Sequence, residues 1–351
     1  MTGRAGFQRL AHGRPAFLAA ALAVLVLWGG PARAQTASND GPGFAWPVAC
    51  DYGETCFIQN YVDARAGGAY ADHTCGHLSY DGHNGTDIRV RDLAAMRRGF
   101  DVVAAAPGVV ARTRDGMPDV SYDEIDPARI AGRYAGNGVV IEHGDGWVTQ
   151  YSHLKRGSVA VEPGERVARG AKLGEIGLSG RTVFPHVEFT VRHQGTPLDP
   201  FTGRAPERGC GEDGTPLWRA ATAERLGYIP SALLSAGFAG DRPAAKAARA
   251  GDYAGPKLPA DAPAIVLWAN VMGPGAGDQV RFSIFRPDGS VLLRRRVDMP
   301  KDQARRFAFV GQRRPGAGWS RGCYRGVVVL VDDGAVLDRA EKRVGFGEAC
   351  E

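Results

Sequence analysis

Apolar and polar positions alternate in short runs along most of this chain. In the clearest run Val187, Phe189 and Val191 fall on one side of an extended segment. His186, Glu188, Thr190 and Arg192 fall on the other, the period-two pattern of a half-buried strand. Residues 102–110, 138–142, 147–151, 159–161 and 172–176 have strand composition as well. Gly144-Asp145-Gly146 supplies a hairpin turn between two of these runs. Residues 115–136, polar and holding Pro118 and Pro127, interrupt the pattern and read as a surface insertion; residues 218–234 have room for a short helix. An Ala-, Gly- and Pro-rich stretch at 236–260 reads as a linker. Strand signals resume at 264–271, 279–286, 290–297, 305–310 and 322–331, with Pro287-Asp288-Gly289 as a turn. The pattern predicts a mainly β chain: a first domain over 35–235, the linker, and a small β-sandwich over 261–351. The 49 glycines and 22 prolines suit that class, since many short strands need many tight turns.

The N-terminus changes the picture of where the chain works. Arg4, Arg9 and Arg14 precede an apolar stretch at 16–28, and Ala32-Arg33-Ala34 offers a cleavage site. The stretch falls well short of the roughly 20 residues a spanning helix needs, so residues 1–34 read as a cleaved signal peptide, with no membrane attachment afterwards. All six cysteines follow it, an even number in an exported chain, which reads as disulfides. The set Cys50–Cys56, Cys75–Cys210 and Cys323–Cys350 keeps each bridge inside one expected domain. No Cys-x-x-Cys pair suggests a thiolate metal site. The formal net charge of +5, with Arg294-Arg295-Arg296 and Arg313-Arg314, suits a solvated basic surface or an anionic envelope polymer. An exported chain without a nucleic-acid motif excludes nucleic acid as the partner.

Three local contexts carry chemistry. In Tyr80-Asp81-Gly82-His83-Asn84-Gly85-Thr86-Asp87, a His and an Asp four apart can converge on one ion if the backbone curls between them. Tyr151-Ser152-His153-Leu154 follows a strand and hairpin. In Pro185-His186-Val187-Glu188-Phe189, period two puts His186 and Glu188 side by side. Gln59-Asn60-Tyr61-Val62-Asp63 either lies across the cleft or packs at its rim.

Taken together, Gly82–Asp87, Tyr151–Leu154 and Gly177–Phe189 resemble, in order and spacing, the signature of the lysostaphin-like (LytM-type) zinc metallopeptidases. Ala106–Val110, Gly136–His143 and Val161–Gly174 resemble that family's intervening strands, so the resemblance covers residues 76–200. It implies an antiparallel β core of the duplicated-hybrid-motif type and an exported (periplasmic or secreted) zinc endopeptidase acting on peptidoglycan peptide. It implies one Zn²⁺ held by His83, Asp87 and position 188, with His153 and His186 as the catalytic pair; Tyr80 and Tyr151 are nearby phenols available to support them. The family has His at position 188, and this chain has Glu188. A carboxylate still ligates zinc, and a His/Asp/Glu set also accepts Mn²⁺. The alternative is a degenerate, non-catalytic module that binds wall or activates an amidase.

Overall fold

The alternation at 186–193 becomes a strand because each step buries its apolar side. Val187, Phe189 and Val191 are fully buried, each contributing about 1.5–3 kcal/mol, while the opposite face presents His186, Glu188, Thr190 and Arg192. The computed structural model describes residues 41–211 and 213–350. The expected signal peptide, 1–34, lies outside the described residues.

In chain order the strands are β1 (Cys56–Asn60), β2 (Thr86–Val90), β3 (Asp101–Val103), β4 (Gly108–Arg114), β5 (Asn137–Gly144), β6 (Trp147–Leu154), β7 (Arg166–Val167), β8 (Lys172–Glu175), β9 (His186–His193) and β10 (Thr196–Leu198). They are followed by β11 (Ala232–Ala239), β12 (Lys257–Leu258), β13 (Ala264–Met272), β14 (Gln279–Phe285), β15 (Val291–Asp298), β16 (Arg305–Arg313), β17 (Cys323–Asp332) and β18 (Ala335–Phe346). Among the described residues the three α-helices are short: α1 (Leu93–Arg98), α2 (Ala220–Ala223) and α3 (Ala245–Ala250). None of the described helices is long and apolar enough to cross a membrane.

The class is mainly β and, apart from the parallel β12–β18 pair, antiparallel. The first sheet runs β1-β2-β9-β6-β5-β4-β7, with β10 on β9, and β3 pairs with β8 beside it. Its apolar face covers one core that includes Ile88, Val139, Ile141, Val187 and Phe189. A three-stranded sheet, β11-β13-β16, and a five-stranded sheet, β12-β18-β17-β14-β15, enclose a second core that includes Phe238, Leu267, Phe282 and Val328. The three disulfides join the cysteines as the domain argument paired them.

Three segments differ from the sequence expectation. Residues 102–110 form two strands, because Ala104-Ala105-Ala106-Pro107 breaks the run and Pro107 has no amide hydrogen to give a ladder. Residues 159–161 form no strand, and only the Ala160 amide reaches β8, donating to the Leu173 carbonyl at 3.0 Å. The short helix expected within 218–234 is present as α2, and the end of that span starts β11. The 236–260 stretch is no free tether: β11 runs through Ala239 and pairs along β13, and α3 and β12 follow. Its small residues are what a closely packed strand accommodates, since Gly237 lies against the Trp268 ring.

Candidate active site

Strand register assembles the site. Asn60 on β1 pairs with Asp87 on β2, Asp87 with Glu188 on β9, and Glu188 with Ser152 on β6, giving a polar row across four strands. Asn60 Nδ2 donates to Asp87 Oδ2 at 2.7 Å, which fixes that carboxylate. The loop before β2 delivers His83. It turns at Gly82, with φ at 75°, where the Gly82 amide donates to Asp63 Oδ2 at 3.0 Å; the Asp63 amide donates to the His83 carbonyl at 2.7 Å. The Gln59–Asp63 stretch therefore forms part of the site floor rather than its rim.

His83 Nε2 lies 3.4 Å from Asp87 Oδ1, and His186 Nε2 lies 3.4 Å from the same oxygen. His153 Nε2 lies 3.5 Å from Glu188 Oε2. The His153 and His186 rings are neighbours, 4.7 Å between centroids. Each points by its far nitrogen: His153 Nδ1 donates to the Ser179 carbonyl at 2.7 Å, and His186 Nδ1 to the Phe184 carbonyl at 2.9 Å, with Thr182 Oγ1 at 3.1 Å. Both Nε2 atoms are thus turned toward the carboxylates, His153 toward Glu188 and His186 toward Asp87. His153 adopts φ of 62°, a conformation that costs a non-glycine residue of order 1–3 kcal/mol and persists where its surroundings hold it. Its amide on the Ala135 carbonyl and its ring on Ser179 do the holding.

His83, Asp87, His153 and His186 are 2%, 3%, 6% and 3% exposed. Burial pulls the His83 and His153 imidazoles down, but Asp87 outweighs it at His83 and Glu188 at His153, and both end above their ordinary value. Burial pushes the two carboxyls up, but His83 and His186 hold Asp87 well below the usual carboxylate range, and His153 holds Glu188 below it. Two carboxylates that stay charged in a buried cleft call for positive charge between them.

Both ring nitrogens of His83, and Asp87 Oδ1, are buried without an aligned hydrogen-bond partner. An orphaned buried polar atom costs about 1–3 kcal/mol, so these donors fit a cation that completes them. Glu188 has its Oε2 on His153, and among the described residues no three His, Cys, Asp or Glu side chains already stand as a metal cage. The five side chains form two pairings, Asp87 with His83 and His186, and Glu188 with His153.

Tyr80, half exposed, stacks on the His83 ring at 4.3 Å, and burial, then Asp87 and Glu188, push its phenol far up. Tyr151 lies elsewhere: it is fully buried, and its hydroxyl accepts from the Ala105 amide at 2.8 Å and from Thr149 at 3.2 Å. That placement corrects the expectation that it supports the catalytic pair. Its ring faces the core because it alternates with Ser152 along β6. His143 is likewise structural, between the Pro107 carbonyl and Thr149. The sequence left Asn60 undecided and placed Ser179, Thr182 and Phe184 within the third motif without a role, which loop closure sets.

The family model described as Peptidase family M23 matches residues 81–200. Among similar proteins are the peptidoglycan DD-endopeptidase ShyA of Vibrio cholerae, 33% identical over 35% of this chain and 23% of that protein, and the cell division protein DipM of Caulobacter vibrioides, 38% identical over 26% and 16%. This chain spans about a quarter or less of those relatives. A solved zinc-containing peptidase from Vibrio cholerae is 28% identical over 43% of this chain and 41% of its own, with a TM-score of 0.28.

Proposed function

We propose that this chain, whose residues 81–200 match the model of peptidase family M23, is an exported zinc metalloendopeptidase that hydrolyses peptide cross-links of peptidoglycan. The observation that carries the reading is that the buried His83 ring nitrogens and Asp87 Oδ1 lack an aligned hydrogen bond beside the His153–His186 pair. His83, Asp87 and Glu188 would hold the ion. Bound there, Zn²⁺ would supply polarisation of the scissile carbonyl and a lowered pKa for the attacking water. Two carboxylates neutralise its formal charge, so this activation is weaker than in an all-histidine site, and Mn²⁺ is accepted more readily.

The chain's own residues handle protons. With Nδ1 of each imidazole committed to a carbonyl, the Nε2 of one takes a proton from the attacking water and returns it to the leaving amine. The other, once protonated, steadies the developing oxyanion. The likeness to ShyA, a peptidoglycan DD-endopeptidase, supports the choice of substrate. The N-terminal signal pattern and three disulfides support a periplasmic or secreted location.

The Glu188–His153 contact favours a second reading, a non-catalytic module that binds wall peptide or activates an amidase. Metal analysis of the purified protein, with muropeptide digestion by wild type and Glu188→His, separates the two. One zinc per chain and cleavage by wild type upholds the peptidase. A metal-free, inert wild type whose Glu188→His variant cuts upholds the module.

A further inference from the structure

We propose that Arg181 is the docking point for a free carboxylate of the substrate peptide, in a subsite walled by the 115–136 insertion. The inference deepens the peptidase reading and rests on it. The insertion leaves the sheet after β4, returns into β5, and in between grips the loop from Leu178 to Thr182. The Leu178 amide donates to Asp119 Oδ1 at 2.8 Å, the Tyr122 amide to the Thr182 carbonyl at 2.8 Å, and the Arg181 amide to the Tyr134 carbonyl at 2.8 Å. Gly180, at φ of 85°, permits the approach, since a Cβ there would sit 2.4 Å from the Tyr134 carbonyl oxygen. The gripped loop is the one that aims both imidazoles: Ser179 holds His153, and Thr182 contacts His186. Arg181 lies between those two residues, so its backbone is fixed at the edge of the reacting groups.

Its side chain is held as well. The guanidinium carbon is 5.5 Å from the Tyr122 ring centroid and 5.7 Å from that of Tyr134, both within cation–π range. Arg181 is exposed, and no carboxylate of the described residues is within ion-pair distance of it. Contact with ring faces restrains the long side chain while leaving its N–H edges free, the fork that matches a carboxylate. Much of the ordering cost of binding is met before the ligand arrives. A cleft floored by two carboxylates repels an anionic peptide, and a cation on its rim offsets that repulsion. Peptidoglycan stem peptides carry free carboxylates beside their cross-links, so the subsite selects for them.

The test uses the full chain and two synthetic cross-linked stem peptides, identical except for a carboxylate or a carboxamide on the residue flanking the scissile bond. Binding is read by calorimetry and turnover by KM and kcat. Wild type should prefer the carboxylate by about tenfold in Kd and KM. Arg181→Ala should lose that preference, raising KM for the acid about tenfold with kcat within about twofold, and Arg181→Lys should restore part of it. Equal affinity of wild type for both peptides, no binding of either, or an equal loss for both in Arg181→Ala would overturn the proposal. Preference without cleavage sinks the peptidase reading alone, and cleavage without preference sinks the subsite alone.

Discussion

Asp87 carries more of this site than any other residue, because both a histidine of the curl and a histidine of β9 meet its Oδ1 while Asn60 holds its Oδ2. Partners behind a ligand set its orientation, and their loss commonly costs 10–100-fold in metal affinity. Asn60→Ala should therefore weaken zinc binding by about 10–100-fold, read by competition with a chromophoric chelator, with little change in fold. Unchanged affinity would mean that Asp87 is oriented without Asn60. A second residue prediction concerns Asp199, which is 5% exposed. Burial pushes its carboxyl up from 3.8 to about 7 against the opposing hydrogen bond from the Phe201 amide. Its folded pKa lies above its unfolded one, so folding favours the neutral acid. That stabilisation is complete below pH ~4 and is lost as pH rises through about 7, a span worth on the order of 4 kcal/mol. Asp199→Asn should flatten the fall in stability between pH 4 and 7 in urea titrations. An unchanged pH profile in the variant would exclude Asp199 as its source.

Among the elements, β2 and β9 show why the first motif needs a glycine two residues before its aspartate. A Cβ on Gly85 would lie 2.8 Å from Glu188 Cγ and 2.9 Å from its Oε1. Gly85→Ala should push the Glu188 side chain aside and lower metal affinity about tenfold or more while the melting temperature moves little, since the clashing atoms end a flexible side chain. A large fall in melting temperature with metal affinity intact would contradict this. Cys75–Cys210 ties the loop ahead of His83 to the segment after β10, across 135 residues. Replacing both cysteines by serine should cost about 2–5 kcal/mol in denaturant unfolding, consistent with closure of a long loop. The same elements show what the sequence could say. Strand β9 was legible because its alternation is strict and its turn signals flank it. Strand β18 was not, because charged residues fill Ala335–Phe346 and most of it is exposed; pairing with β17 and β12 makes it a strand. Likewise Ala232–Ala239 is too rich in small residues to signal a strand, and β13 imposes the conformation. The five site residues were legible as types, but their division into two pairings depends on side-chain directions set by register and loop closure.

At the scale of the molecule, the C-terminal sheets belong to the same compact unit as the first sheet. Phe57 of β1 packs with Ala232, Leu234 and Met272, and Arg91 donates to the carbonyls of Leu233 and Leu234 at 2.8 and 2.9 Å. A relay of contacts then reaches the site. Gln59 Nε2 donates to the Ala304 carbonyl at 2.7 Å, and Gln59 Oε1 accepts from Arg89 Nη1 at 2.6 Å. The Arg89 guanidinium lies 4.9 Å over Phe184, whose ring stacks on His186 at 4.4 Å. Arg89 is wholly buried, and burial pulls its pKa down to about 9, so the hydrogen bond it donates to Gln59 is one it can ill spare. Gln59→Leu would leave that charged donor and the Ala304 carbonyl unsatisfied, at a cost of about 1–3 kcal/mol or somewhat more. Because the strain falls on the stack beneath His186, kcat should drop about tenfold, equivalent to ~1.4 kcal/mol of transition-state stabilisation. The full chain should unfold in one calorimetric transition, and a chain ending at Pro259 should neither fold cooperatively nor cut. Two separate transitions, or a truncated chain with full activity, would show that the C-terminal sheets merely accompany the peptidase, and a destabilised Gln59→Leu with normal kcat would break the relay at His186.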